Sequence, residues 1–229
     1  QGQTHGHEGF LVLPAEKASL AKEKAAAEVI HPYLIADELI GNLESKPSRY
    51  CIDLTLCRDL TAAQRHGHAF EHVKKHVFPD IKKRAEEERV LTGKKTGPRQ
   101  THLNHWWTFW RGRPELIRGV RKLPRYIVCG QVTKRPIFEF VRSDIWPNAA
   151  LIAFLMDDDY SFGVLQSGIH WAWFTEKCST LTERYRYTIE SVFDTFPWPQ
   201  NPTEKSVRAV AASAVSLRRL RNKLMKKNQ

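Results

Sequence analysis

The sequence predicts an α+β fold: a mixed sheet flanked by helices, with a long C-terminal helix. Three observations lead there. Arg125–Val132, Ile137–Arg142 and Leu151–Met156 carry the short, β-rich patterning of strands. Pro14–Val29 and Thr61–Arg89 are rich in helix formers, and Thr203–Lys227 repeats apolar residues at three- and four-residue steps. No regular strand–helix–strand repeat occurs, so a doubly wound sheet is not expected.

Taken in order, Pro14–Val29 reads as one helix that stops before His31-Pro32, and Tyr50–Leu56 as a strand. Thr61 is the expected N-cap of the Thr61–Arg89 helix, with an interruption at Pro79. Leu91–Leu103 contains Gly93, Gly97, Pro98 and three basic residues, and is expected to be a mobile loop. Asp157–Asp159 forms a polar turn ahead of a fourth strand in the block, Tyr160–Leu165. Ser167 caps a helix running to Cys178, and Thr180–Thr188 is extended. Phe196-Pro197-Trp198-Pro199 breaks the chain before the last helix, which aligns Val207, Val210, Ala214, Leu217, Leu220 and Leu224 and needs a partner surface. The expected organisation is one domain over 1–200, mainly helical over 1–90 and strand-rich over 104–200, followed by an amphipathic basic helix over 201–229.

With 229 residues and 41% hydrophobic side chains the chain can bury a core, which excludes wholesale disorder. No run approaches the roughly 18–20 apolar residues of a membrane span. Four cysteines without a CxxC pair fit a reducing cytoplasm better than a disulfide scaffold. The first residue is Gln rather than Met, and the chain is read as a piece of a longer protein. The formal charge of +11 is unevenly spread. Residues 61–142 hold 19 basic and 7 acidic side chains, and residues 201–229 hold 8 and 1, whereas 1–60 and 143–200 are net acidic. Such clustering favours a phosphate-tracking surface. The short run Lys82–Glu88, taken alone, reads as a solvated helix face.

Catalytic chemistry finds little support, and no catalytic or metal-ligating residue is assigned. Neither GxGxxG nor GxxxxGK[ST] occurs. Asp157, Asp158 and Asp159 raise a metal-dependent nuclease as an alternative, but a polar turn accounts for them. His68, His72 and His76 share a helix face without the glutamate of a zinc-protease motif, so a solvent- or phosphate-facing stripe is expected. In His105–Arg113 the tryptophans are assigned to packing and Arg111 and Arg113 to phosphate contact. Arg125, Lys134, Arg135 and Arg142 flank the strand block and would add salt-sensitive affinity for a DNA backbone. If Leu181–Thr188 is extended, Thr182, Arg184 and Arg186 face one way and Tyr185 and Tyr187 the other. That polar face suits base reading, since arginine grips guanine with two hydrogen bonds, and it equally suits pairing with neighbouring acids.

Read in order, Arg49–Asp53, His105-Trp106-Trp107, Arg113–Leu116, Phe162–Ser167 with His170 and Trp173, Tyr185-Arg186-Tyr187 and Phe196–Pro199 resemble a known family. They are similar to the C-terminal half of large adenine-specific DNA methyltransferases, the group that includes type IIG (type IIL) restriction–modification enzymes and related phage-defence methyltransferases. The resemblance spans about Gly9 to Lys223. It implies a target recognition domain that clamps double-stranded DNA against the catalytic methyltransferase domain of the same parent chain. It also implies a prokaryotic cytoplasmic protein, with or without an endonuclease. S-adenosyl-L-methionine and the Asn-Pro-Pro-aromatic motif would belong to the parent, upstream of this segment. Base specificity would fall on Thr182, Arg184 and Arg186; Thr182 departs from the charged residue expected there, which implies a different or looser base preference. The last helix would continue, or dock onto the methyltransferase core. A free-standing nucleic-acid-binding module remains the other reading.

Overall fold

A computed structural model describes residues 1–41, 46–181 and 184–227. The first half runs β1 (Leu11–Val12), α1 (Pro14–Leu20), α2 (Lys24–Ala27), β2 (Ile30–Leu34), α3 (Ala36–Gly41), β3 (Tyr50–Ile52), α4 (Leu60–Gln64), α5 (Gly67–His76), α6 (Phe78–Thr92), α7 (Pro98–Leu103) and α8 (Pro114–Val120). The second half runs β4 (Arg125–Gly130), β5 (Val132–Thr133), β6 (Glu139–Arg142), β7 (Trp146–Pro147), β8 (Leu151–Phe154), α9 (Asp159–Leu165), α10 (Gly168–Lys177), β9 (Ser179–Leu181), β10 (Arg184–Arg186) and α11 (Glu204–Lys227). Among the described residues the strands form three small sheets, ordered β1-β3-β2-β7, β6-β4-β8 and β5-β10-β9. The β2–β7 pairing is parallel and the rest are antiparallel, so the α+β expectation with mixed pairing holds.

Sheet β6-β4-β8 is a wall between two apolar cores. Side chains alternate across a strand, and β4 spends both faces: Tyr126 and Val128 enter the core of the first half, Ile127 and Cys129 that of the second. On the second face Ile127 lies opposite Phe140 of β6 and Phe154 of β8. Burial on both sides is why Tyr-Ile-Val-Cys is a continuous apolar run rather than an alternating one. Each such side chain contributes about 1.5–3 kcal/mol on leaving water.

Several local expectations are corrected. Pro14–Val29 is two short helices, and Thr61–Arg89 is three. Asp59, not Thr61, caps α4, its Oδ1 accepting the Ala62 N–H at 2.8 Å. Pro79 sits in the first turn of α6, where a missing N–H costs no helix bond. Tyr160–Leu165 belongs to a helix rather than a strand, because Asp158 caps it by accepting the Ser161 N–H at 2.7 Å. Its Phe162 and Leu165, three apart, then share a buried face. The 91–103 segment holds the end of α6 and the whole of α7. Leu181 pairs with Arg184, so the 180–188 stretch folds back as two strands.

Helix α11 docks on α9. Their close approach requires Gly163, where a Cβ would lie 2.6 Å from Val210 Cγ1. Beyond that contact Arg218 and Arg221 reach back to Asp159 and Glu139. The expected apolar stripe is thus only partly used: Ala214 is buried, while Leu217, Leu220 and Leu224 stay 42, 54 and 52% exposed. Gly163→Ala is expected to destabilise the fold by about 1–3 kcal/mol through overpacking, although alanine is the better helix former by about 1 kcal/mol. Urea unfolding checks the sign; a gain in stability would mean that the α9–α11 contact is not tight.

Candidate nucleic-acid interface

Tyr185, Arg186 and Tyr187 alternate between core and surface, as the sequence suggests. Tyr185 packs edge-on against Trp171 and Phe174, with ring centroids 6.0 and 5.7 Å away. Tyr187 is fully buried and stacks on Phe174 at 5.4 Å. Its hydroxyl is hydrogen-bonded to His170 Nε2 at 3.0 Å, and its N–H donates to the Gln131 carbonyl at 2.7 Å. Two inward tyrosines leave the Arg186 side chain exposed between them. Arg184 begins the same strand, and Thr182 lies outside the described residues.

Burial lowers the pKa of His170 to about 4, against a smaller upward pull from the Leu165 carbonyl. The ring is therefore neutral near pH 7, and the Tyr187 phenol, also desolvated, is held protonated. The His170–Tyr187 pair pins the chain just beyond β10 to the core.

Strand β5 pairs with β10 through Thr133–Tyr185 and Val132–Arg186, and leads straight into the exposed Lys134 and Arg135. The Arg135 guanidinium lies 5.5 Å from the centre of the Trp171 ring. A cleft of about 410 Å³ beside β10 is lined by Arg186, Arg113, Gln131, Glu115 and Glu190 among others, which sets Arg113 of the first half next to Arg186 of the second. Arg111 and Arg113 are both exposed and are held by the N-terminal segment. Thr4 and Arg111 exchange backbone hydrogen bonds of 3.1 Å, and Gln3 Oε1 accepts the Arg113 N–H at 3.1 Å. Gln3 is buried and in turn donates to Asp53 at 3.0 Å. Gln3 and Gln131 carry no motif, and sequence reasoning passed over both.

Not every arginine named from the sequence is free for DNA. Arg125 donates to the Asp157 carbonyl at 2.9 Å and to Asp159 at 3.3 Å, and it stacks over Phe140 at 3.7 Å. These contacts hold its guanidinium against the fold, with the side chain 32% exposed. Arg142 is exposed and paired with Asp144. Trp106 and Trp107 are buried, as packing predicts, while Trp110 is 37% exposed.

The aspartate triplet is structural: Asp158 caps α9, and Asp159 binds Arg125 and Arg218. His72 and His76 approach to 4.5 Å between ring centres, whereas His68 turns to Glu23. Among the described residues no group of three or more His, Cys, Asp or Glu side chains could hold a metal ion. Nor is any described helix long and apolar enough to cross a membrane.

Comparison with known proteins bears on this geometry. Residues 135–200, from the turn after β5 through β10 to Gln200, match the model of the family described as MmeI, target recognition domain. Over 97% of its length the chain shares its fold with the type IIL restriction–modification enzyme MmeI, solved in complex with DNA, at TM-score 0.71 and 22% identity. The chain spans 27% of that protein's length. No curated protein sequence matches it. The resemblance read from the ordered motifs is thus met by a family match over the strand-rich part and by a shared fold over nearly the whole chain.

The buried, neutral His170 has a consequence for stability. Its pKa is near 6.5 unfolded and about 4 folded, so the stability it contributes is present above pH 6.5 and is lost as pH falls towards 4. The loss is about 3 kcal/mol at most. Urea unfolding at neutral and mildly acidic pH should show a smaller acid loss in His170→Phe than in the wild type. An equal loss in both would show that the His170 ring is not held neutral.

Proposed function

We propose that the chain is the DNA target recognition domain of a type IIL-class, S-adenosyl-L-methionine-dependent adenine-N6 DNA methyltransferase. In this reading Arg184 and Arg186 read base edges in the major groove, with Thr182 beside them. The observation that carries it is the exposed Arg186 between two core-anchored tyrosines, inside the segment that matches the recognition-domain family. A side chain on a strand pinned from behind meets a base edge with little ordering cost, and a bidentate arginine–guanine pair discriminates by about 1–3 kcal/mol. Lys134, Arg135, Arg111 and Arg113 supply backbone contacts, with Arg142 if it exchanges Asp144 for phosphate.

Methyl transfer is assigned to the catalytic domain of the parent. The residues here do not fit S-adenosyl-L-methionine: the β8–α9 junction carries Asp157 and Asp158 and no glycine, and no glycine-rich loop exists elsewhere in the sequence. The parent would flip the target adenine while this domain holds the duplex. The exposed Leu217, Leu220 and Leu224 on α11 offer an apolar edge to that catalytic domain. A prokaryotic cytoplasm is part of the same reading.

Sequencing of N6-methyladenine in cells that express the full-length protein should return one modified motif. Arg186→Ala should alter or relax a single position of it; an unchanged motif in both Arg184→Ala and Arg186→Ala would sink the base-reading assignment. Lys134→Ala should weaken DNA binding alike on all sequences and flatten its salt dependence. A base-specific loss in that variant would contradict a backbone role.

A further inference from the structure

We propose that the groove between α6 and α7 is a second phosphate-binding surface, which grips duplex DNA outside the base-read sequence; this rests on the DNA-binding reading above. The groove holds about 670 Å³ and its lining includes, beside Glu86 and Arg89, five polar side chains: Lys82 and Lys83 of α6, Lys95 of the connection, Thr101 of α7 and Asn104 just after it. All five are exposed. The acidic side chains that could neutralise these lysines are already engaged. Glu86 pairs with Arg89 at 2.6 Å, and Glu87 lies 4.0 Å from Arg99. Glu88 accepts the backbone N–H groups of Arg99 and Gln100, both at 3.1 Å. None of the three lysines makes an ion pair among the described residues.

Glu88 also fixes the shape of the groove. Its carboxylate lies where a Gly97 side chain would begin, 2.3 Å from that Cβ position, and so closes the turn onto α6. Gln100 Nε2 donates to the Lys94 carbonyl at 3.0 Å, which ties down the connection that carries Lys95. Cations and neutral donors on a fixed frame suit phosphate oxygens and carry no base code. From Lys82 to Arg89 the helix advances about 10 Å, and each DNA strand carries one phosphate per ~3.4 Å of duplex axis, so the groove is long enough for more than one phosphate.

The test uses the intact protein, a fluorescent mixed-sequence duplex of about 40 base pairs and a salt series, with the wild type compared to Lys82→Gln/Lys83→Gln/Lys95→Gln. The triple variant should bind every duplex about tenfold more weakly near 0.1 M salt, and the slope of log affinity against log salt should shrink by about 2–3. Its preference between duplexes should not change, and its thermal unfolding should match the wild type. Equal affinity and slope in the two proteins would overturn the groove while leaving the base-reading strand untouched. Loss confined to one sequence would overturn its phosphate character. Failure of the wild type to bind any duplex would overturn the DNA-binding reading itself, and the groove with it.

Discussion

The structure depends on β4 having no solvent face. Tyr126 and Val128 on one side and Ile127 and Cys129 on the other make a single six-residue strand the common wall of two cores. The helical first half and the strand-rich second half are therefore not free to turn against each other as two beads on a linker would be. Interiors packed on both sides of a sheet transmit displacement rather than absorb it. That rigidity sets Arg113, from one half, beside Arg186, from the other, across one cleft.

From the wall outward, each layer constrains the next. Ile127 and Phe154 belong to the core that also takes in Phe174 and Tyr187. Tyr187 is locked by His170, and the lock sets the register in which Arg186 points outward. On the opposite side the buried Gln3–Asp53 pair does the same for the Arg111–Arg113 corner. Helix α11 closes the far edge through Arg221 to Glu139 and through Arg218, which holds Asp159, one of the acids raised as a metal ligand, in an ion pair. The surplus of positive charge in 61–142 then falls on α6 and its neighbour α7 and along the edge from Arg111 to Lys134.

How much was legible in the sequence depends on the range of the physics involved. The alternation at Tyr185-Arg186-Tyr187 is a local pattern and came through intact. The Ser167 cap also came through, its Oγ accepting the His170 N–H at 3.1 Å. The tryptophan pair declared its burial by size. Tyr160–Leu165 did not, because a seven-residue helix and a short buried strand share the same apolar content and only the Asp158 cap separates them. The 91–103 segment looked loose because its order comes from Glu88, one residue on the preceding helix, rather than from its own glycines. The partners of Arg125 are hidden for a similar reason: that Asp159 and Phe140 meet it is a tertiary fact with no local trace. Gln3 and Gln131, being uncharged and without motif, gave no signal at all.

In the proposed function a rigidly backed arginine strand selects one duplex sequence. It is tested most directly by selecting bound duplexes from a randomised library with the intact protein, at rising salt, and sequencing them. One short motif should emerge and sharpen as salt removes backbone-only binding. Recovery of DNA without any enriched motif, at every salt concentration, would contradict it.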